Sequence, residues 1–249
     1  MSATPCSIFF HNYYGGHADW LNFFNEKVNI PFTLYYNIVE SSIFNQEDIS
    51  LEALQQAGNG PWLKKLVVRR SPNLGKDIGG KLVLMDACLR QPQQSEYIIL
   101  LHDKKSPYKI QNKEWRDKLF QIIEPEFIKK AIALFSKHAG TGIIAPSDSI
   151  YNEYSSSRQT FISHNGFQLA RFRSELGISN TDYRYVAGTM FWARSRPLLD
   201  FFRKNPPLDI RKQLENGNVM DETNGTNTHA WERLLCWLIF AQGYTINGI

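Results

Sequence analysis

Four short segments concentrate the side chains that could do chemistry. The densest is LLHDKKSP at 100–107, where an imidazole (His102), a carboxylate (Asp103), two ammonium groups (Lys104, Lys105) and a hydroxyl (Ser106) follow an apolar run. Adjacent ammonium groups offset the charge that a departing diphosphate accumulates in a transition state. Asp103 is the metal candidate: a carboxylate there could hold Mg2+ or Mn2+ against the same diphosphate, although two lysines follow it and no DxD pair forms. NLGKDIGG at 73–80 is a turn whose glycines permit close backbone approach to a ligand. Asn73, Gly75 and Asp77 are its candidates for contacts to a base, a ribose or a sugar hydroxyl, with helix capping the plainer role for Asp77. The turn matches neither a Walker A loop nor GxGxxG. DETNGTNTHAWER at 221–233 supplies Asp221, Glu222 and Glu232 as candidates for a general base that takes a proton from an acceptor hydroxyl. His229, Glu232 and Arg233 stand at i, i+3 and i+4, on one helix face. GTMFWAR at 188–194 is an apolar strand in which Met190 and Phe191 read as core, while Thr189 and Trp192, with Arg233, are assigned to the acceptor side.

These residues need a scaffold that brings them together. Apolar runs at 7–11, 32–38, 66–70, 97–101, 142–145 and 185–193 read as strands, and 244–246 as a short last one. Helical spacing is seen at 18–26, 78–89, 115–123, 125–137, 166–175 and 229–241, with Thr228 as the cap of the last. Strands alternating with helices predict an α/β fold: a Rossmann-like, mostly parallel central sheet with helices on both faces. Ligands of such sheets bind beyond the carboxyl ends of the strands. That places His11, Tyr13 and Tyr14 after the first strand, the NLGKDIGG turn after the third and HDKKS after the fourth. No linker, repeat or low-complexity stretch divides the chain, so one domain over 1–249 is expected. Its nucleotide-binding elements lie in about 1–145 and its acceptor and catalytic elements in about 146–249.

Composition narrows the class. The 249 residues are 43% hydrophobic and 21% charged, enough for a conventional core and against disorder. A net charge of +4 suits an anionic diphosphate substrate or an anionic membrane surface, and no basic stripe of the kind nucleic-acid binders carry is present. Three scattered cysteines form neither a zinc site nor a disulfide framework and point to a reducing, cytoplasmic setting. No apolar run reaches the length of a membrane span, and the N-terminus does not read as a signal peptide.

Taken in order, NLGKDIGG, HDKKS, Trp115–Arg116, AGTMFWAR, NGTNTHAWERL and Gly243–Tyr244 resemble the rhamnan synthesis protein F family over nearly the whole chain. The family's usual LHTKKS segment stands here as LHDKKS, so Asp103 is a departure, which argues against a required metal ligand at that position. The resemblance implies a glycosyltransferase of the GT-A type, an activated donor such as dTDP-L-rhamnose (UDP and GDP sugars being the other options), and a growing surface glycan or lipid-linked glycan as acceptor. It places the catalytic acid residue near the start of the helix before the last strand, on Glu232 or the preceding Asp221–Glu222. An inverting transfer at the inner face of the cytoplasmic membrane is the resulting expectation. A non-catalytic glycan-binding module and a sugar-phosphate transferase are the alternatives.

Overall fold

A computed structural model describes residues 5–45, 54, 60–103, 119–221 and 224–249. Its centre is a seven-stranded sheet with strand order β11-β5-β10-β4-β1-β2-β3. The first strands are β1 (Cys6–Asn12), β2 (Phe32–Val39), β3 (Leu63–Ser71) and β4 (Tyr97–His102), all parallel neighbours. β1, β2 and β4 are buried along their whole lengths, as expected of central parallel strands covered on both faces. β3 is the edge strand, with only Val67 and Ser71 buried and its other positions partly or fully exposed. Beyond β4 comes β10 (Phe191–Arg194), antiparallel to both β4 and β5 (Thr141–Ala145). β11 (Thr245–Gly248) closes the far edge, parallel to β5.

Helices pack on both faces. α1 (His17–Lys27) and α3 (Pro125–Lys137) cover one, burying Leu21, Phe24, Phe127, Ile128 and Phe135 against Ile8, Phe10 and Ile99. α2 (Lys76–Leu89), α4 (Gly166–Glu175), α5 (Ser195–Lys204), α6 (Pro207–Arg211) and α7 (Asn227–Phe240) cover the other, against Phe9, Ile98, Leu100 and Phe191. Each large apolar side chain removed from water contributes about 1.5–3 kcal/mol. The two layers therefore supply the driving force that joins the earlier and later elements of the chain around one sheet. The α/β Rossmann-like architecture is as the sequence predicts.

Two elements depart from expectation. The single strand predicted over 185–193 is two. β9 (Arg184–Val186) pairs with β6 (Ile150–Asn152) in a small separate sheet, and only β10 enters the main one. Between them Gly188 and Thr189 adopt left-handed conformations, φ 79° and 50°, which no strand accommodates. The helices α5 and α6 and the hairpin of β7 (Tyr154–Ser155) and β8 (Thr160–Phe161) were not anticipated. Among the described residues no helix is long and apolar enough to cross a membrane.

A crevice at the carboxyl ends of the strands

The candidate residues converge at the end of the sheet where β1, β2, β3 and β4 finish. The antiparallel β10 begins there, and α2 and α7 start there. The third turn makes this crowding possible. Gly79 lies so close to the carbonyl of Leu74, and Gly80 so close to the imidazole of His11, that an added Cβ would stand 1.7 Å from each. Helix α2 is thereby pressed against the exit of β1. His11 is buried, and burial lowers its pKa to about 4, so the ring is neutral. Asn37 donates to His11 Nδ1 at 3.1 Å, and Ser71 donates to Asn37 Oδ1 at 3.1 Å, which fixes the amide orientation and leaves the His11 proton on Nε2.

Next to this chain lies a buried ion pair. Lys81, one turn beyond Asp77 on α2, has a side chain only 2% exposed and donates to Asp77 Oδ2 at 2.8 Å. It also donates to the Thr189 carbonyl at 3.0 Å and to the Thr189 hydroxyl, and it stands 3.2 Å from His102 Nδ1. The same His102 nitrogen stands 3.5 Å from Asp77 Oδ2. Thr189 in turn donates to Asp77 Oδ2 at 2.8 Å. Burial by itself would raise the Asp77 pKa, but Lys81, His102 and the bonds from Lys81 and Thr189 outweigh it and hold the carboxyl well below the usual range. Beside Thr189, the Gly188 N–H donates to Glu232 Oε1 at 2.7 Å. The other oxygen of Glu232 accepts from Arg233 at 2.6 Å, and Arg233 is anchored on the buried Glu153 at 2.9 Å and on Tyr185 at 3.2 Å. Hydrogen bonds from Asp77 and Lys81 to Thr189, and from the adjoining Gly188 to Glu232, therefore link the first part of the chain to α7 through one backbone turn.

Asp103 behaves differently from its assigned role. Its carboxylate turns back into the β1 exit and accepts from the backbone N–H groups of Tyr13 (2.9 Å to each oxygen) and Tyr14 (2.5 Å). The aspartate holds the loop that carries the two tyrosines. Both oxygens are thus engaged by backbone donors, and among the described residues no group of three or more His, Cys, Asp or Glu stands together as a metal site. In the described residues Asp103 thus serves as a loop anchor. Tyr13 and Tyr14 meet edge to face, 4.9 Å between centroids, and Tyr14 lies 5.3 Å from the half-exposed Phe44. Asn73 donates to Asn218 Oδ1 at 3.0 Å, and Asn218 donates to the Tyr13 hydroxyl at 3.0 Å, which ties the 215–221 loop across the crevice. Gly75 bonds the same loop through the Glu215 carbonyl at 2.8 Å. The buried Asn73 Oδ1 has no partner among the described residues.

The start of α7 forms the far wall. Thr226, not Thr228, is its cap, accepting from the His229 N–H at 3.1 Å and sharing a 2.6 Å bond with His229 Nδ1. Thr228 instead gives its hydroxyl to Glu215, whose carboxylate also receives the N–H groups of Asn227 and Thr228 at 2.6 and 2.9 Å. His229 is held neutral by burial and by the nearby Lys76. Asp221 accepts from Asn165 at 3.0 Å and remains exposed. Lys104, Lys105, Ser106, Trp115, Arg116 and Glu222 lie outside the described residues.

One acceptor assignment is overturned. Trp192 is wholly buried on β10, 6.1 Å from Tyr97, and its indole N–H donates to the Ile122 carbonyl at 2.7 Å. Neither ring face can meet a sugar. An apolar strand flanked by strands on both sides buries both of its faces, and Trp192 takes the one under α3. Arg233 is buried and engaged with two carboxylates rather than presented to solvent. A cleft of about 420 Å3 lies at the opposite end of the sheet, lined by Glu96, Arg194, Arg203 and Tyr244. Its guanidinium groups are already used: Arg203 on Asp200 and Gln94, Arg194 on the carbonyls of Thr141 and Phe135. The chemistry gathers at the other end.

Lys81, Gly188, Glu153, Glu215 and Asn37 escaped the sequence reading. Lys81 left a trace, since an Asp and a Lys four apart on a helix are paired by geometry. Nothing local to Glu153 signals a partner 80 residues away.

With this geometry in place, comparison with known families is decisive. The model of the rhamnan synthesis protein F family matches residues 3–244. The chain belongs to that family. Membership in the rhamnan synthesis protein F family points to a part for the chain in polysaccharide synthesis. No curated protein matches the chain.

Proposed function

We propose that the protein is a glycosyltransferase that moves a sugar from a nucleotide-activated donor onto a growing glycan, with L-rhamnose as the sugar the family's name favours. The observation that carries this is the bonded series from Asp77 and Lys81 to Glu232 at the carboxyl end of a Rossmann-like sheet, in a chain of a polysaccharide-synthesis family. Three features support a GT-A-type arrangement: a nucleotide side built on β1 to β4, an acceptor side that begins with β10, and one sheet shared by both.

In this reading the donor lies over the β1, β3 and β4 exits. Asp77, held as the anion, accepts from a ribose or sugar hydroxyl, and the neutral Nε2–H group of His11 can donate. Tyr13 and Tyr14 offer aromatic faces on which a base or a pyranose can stack. Lys104 and Lys105 balance the charge of the leaving diphosphate. Glu232 is the general base: it takes the proton of the acceptor hydroxyl as that oxygen attacks the anomeric carbon and the nucleoside diphosphate departs, an inverting course. Its bonds to Gly188 and Arg233 orient it. The acceptor is a glycan or lipid-linked glycan reached at the inner surface of the cytoplasmic membrane.

Calorimetric titration with dTDP, UDP and GDP, with and without Mn2+, tests the donor site. Saturable binding of one nucleotide supports the reading, and no binding of any would shift it to a glycan-binding module. Transfer from dTDP-L-rhamnose to a synthetic oligorhamnoside, followed by mass spectrometry, tests the reaction. Glu232→Gln should lower kcat by about 10^2–10^4-fold, the usual worth of a general base.

A further inference from the structure

The Lys81 ammonium is surrounded by more acceptors than it has protons: a carboxylate, a carbonyl, a hydroxyl and an imidazole nitrogen for three N–H bonds. It is committed within the protein rather than offered to a ligand. Lysines this deeply buried occur only when paired, and they impose the geometry of what they pair with. Lys81 and its partner Asp77 grip Thr189 at two points, the carbonyl and the hydroxyl, and Thr189 is a β-branched residue at φ 50°, a conformation such residues avoid. The Thr189 N–H bonds the Val186 carbonyl at 3.1 Å, and the ion pair on α2 holds the same residue by its carbonyl and hydroxyl. The preceding residue, Gly188, is also left-handed, and its N–H is aimed at Glu232 Oε1.

Glu232 has two handles with different origins. Arg233 is its neighbour on α7 and moves with it. Gly188 comes from the turn that leads into the sheet, and so fixes the carboxylate relative to the crevice rather than relative to its own helix. We propose that Lys81 is a positioning residue that acts through the left-handed Gly188–Thr189 turn to set the orientation of the Glu232 carboxylate. This rests on Glu232 being the base of the proposed transfer. Lys81 itself touches neither substrate nor the reacting atoms.

Two readouts test it. The first is independent of activity: the Gly188 amide proton, followed by NMR in glycine-15N-labelled protein. Bonded to a carboxylate it should resonate well downfield, and Glu232→Gln should move it upfield. Lys81→Met, which keeps the length of the side chain and removes the charge, should move it upfield as well. The second is transfer from dTDP-L-rhamnose to an oligorhamnoside. Lys81→Met should lower kcat at least tenfold, by more than it raises the donor KM through the loss of Asp77's partner, and Lys81→Ala should regain part of its kcat when ethylammonium is added. If Lys81→Met does not fold, Thr189→Val, which loses only the hydroxyl held by Asp77 and Lys81, reads the same amide and the same kcat. A Gly188 amide unmoved in the folded variant, while the wild type transfers sugar normally, overturns the relay and leaves the transferase reading intact. A wild type that transfers nothing overturns the transferase reading, and the proposal with it, even if the amide responds to both substitutions.

Discussion

At the scale of single residues, the crevice is dominated by charges that burial has forced into fixed states. The buried His11 ring is neutral because burial depresses its pKa from 6.5 to about 4. The unfolded chain therefore binds a proton between those values that the folded chain refuses, so stability should fall as pH drops through that window. For a group 4% exposed this amounts to about 2 kcal/mol lost between pH 7.5 and 4.5. Urea unfolding at the two pH values should show it in the wild type, and much less of it in His11→Asn. Asp77 works at a lower pH. Its pKa is held below the unfolded carboxylate value, so the stability it lends is present above about pH 4 and fades below it. Gly80 belongs to the same contact. Gly80→Ala should unfold the protein or cost about 3 kcal/mol or more, and the pair Gly80→Ala with His11→Ala should recover part of that loss, since the two share one space. Much of this region was legible in the sequence: NLGKDIGG, His102 and THAWER stood out as polar clusters after apolar runs. Their pairing was not. That Asp103 points into the loop after β1 and Glu232 reaches Gly188 are facts of three-dimensional approach between segments 44 to 90 residues apart.

At the scale of elements, the strands and long helices were readable because their apolar residues repeat with the right period. The helix over 125–137 and the helix over 166–175 appear with the predicted bounds. What local pattern could not reveal was where a run ends for tertiary reasons. Residues 185–193 look continuous, yet the left-handed turn at Gly188–Thr189, which the Lys81–Asp77 pair grips, splits them between two sheets. Burial of Trp192 has the same origin: a strand that is inserted between two others loses both faces to the core. Trp192→Phe should therefore cost about 1–3 kcal/mol of stability while leaving nucleotide affinity unchanged within twofold, measured by urea unfolding and by calorimetry. Helix α7 depends on Glu215, a carboxylate 12 residues before it, to satisfy its first N–H groups. Glu215→Ala should destabilise the fold by about 1–2 kcal/mol in the same unfolding assay.

At the scale of the whole molecule, a ligand that binds only the folded state must raise the melting temperature. A nucleotide present at about a hundred times its Kd adds about 2.7 kcal/mol, or about 5–10 °C for a chain of this size. One of dTDP, UDP and GDP should give that shift in a thermal melt. The order of the sheet carries a further consequence. β5 belongs to the first 145 residues, yet it is separated from β4 by β10, which the chain delivers almost fifty residues later. The first part made alone would thus hold a gap one strand wide in the middle of its sheet, with two raw edges facing it. During synthesis on the ribosome, β1 to β4 can pair as they emerge, but β5 must wait for β10 before it has a neighbour to join. Fragments cut near residue 145 should accordingly be insoluble apart and recover together.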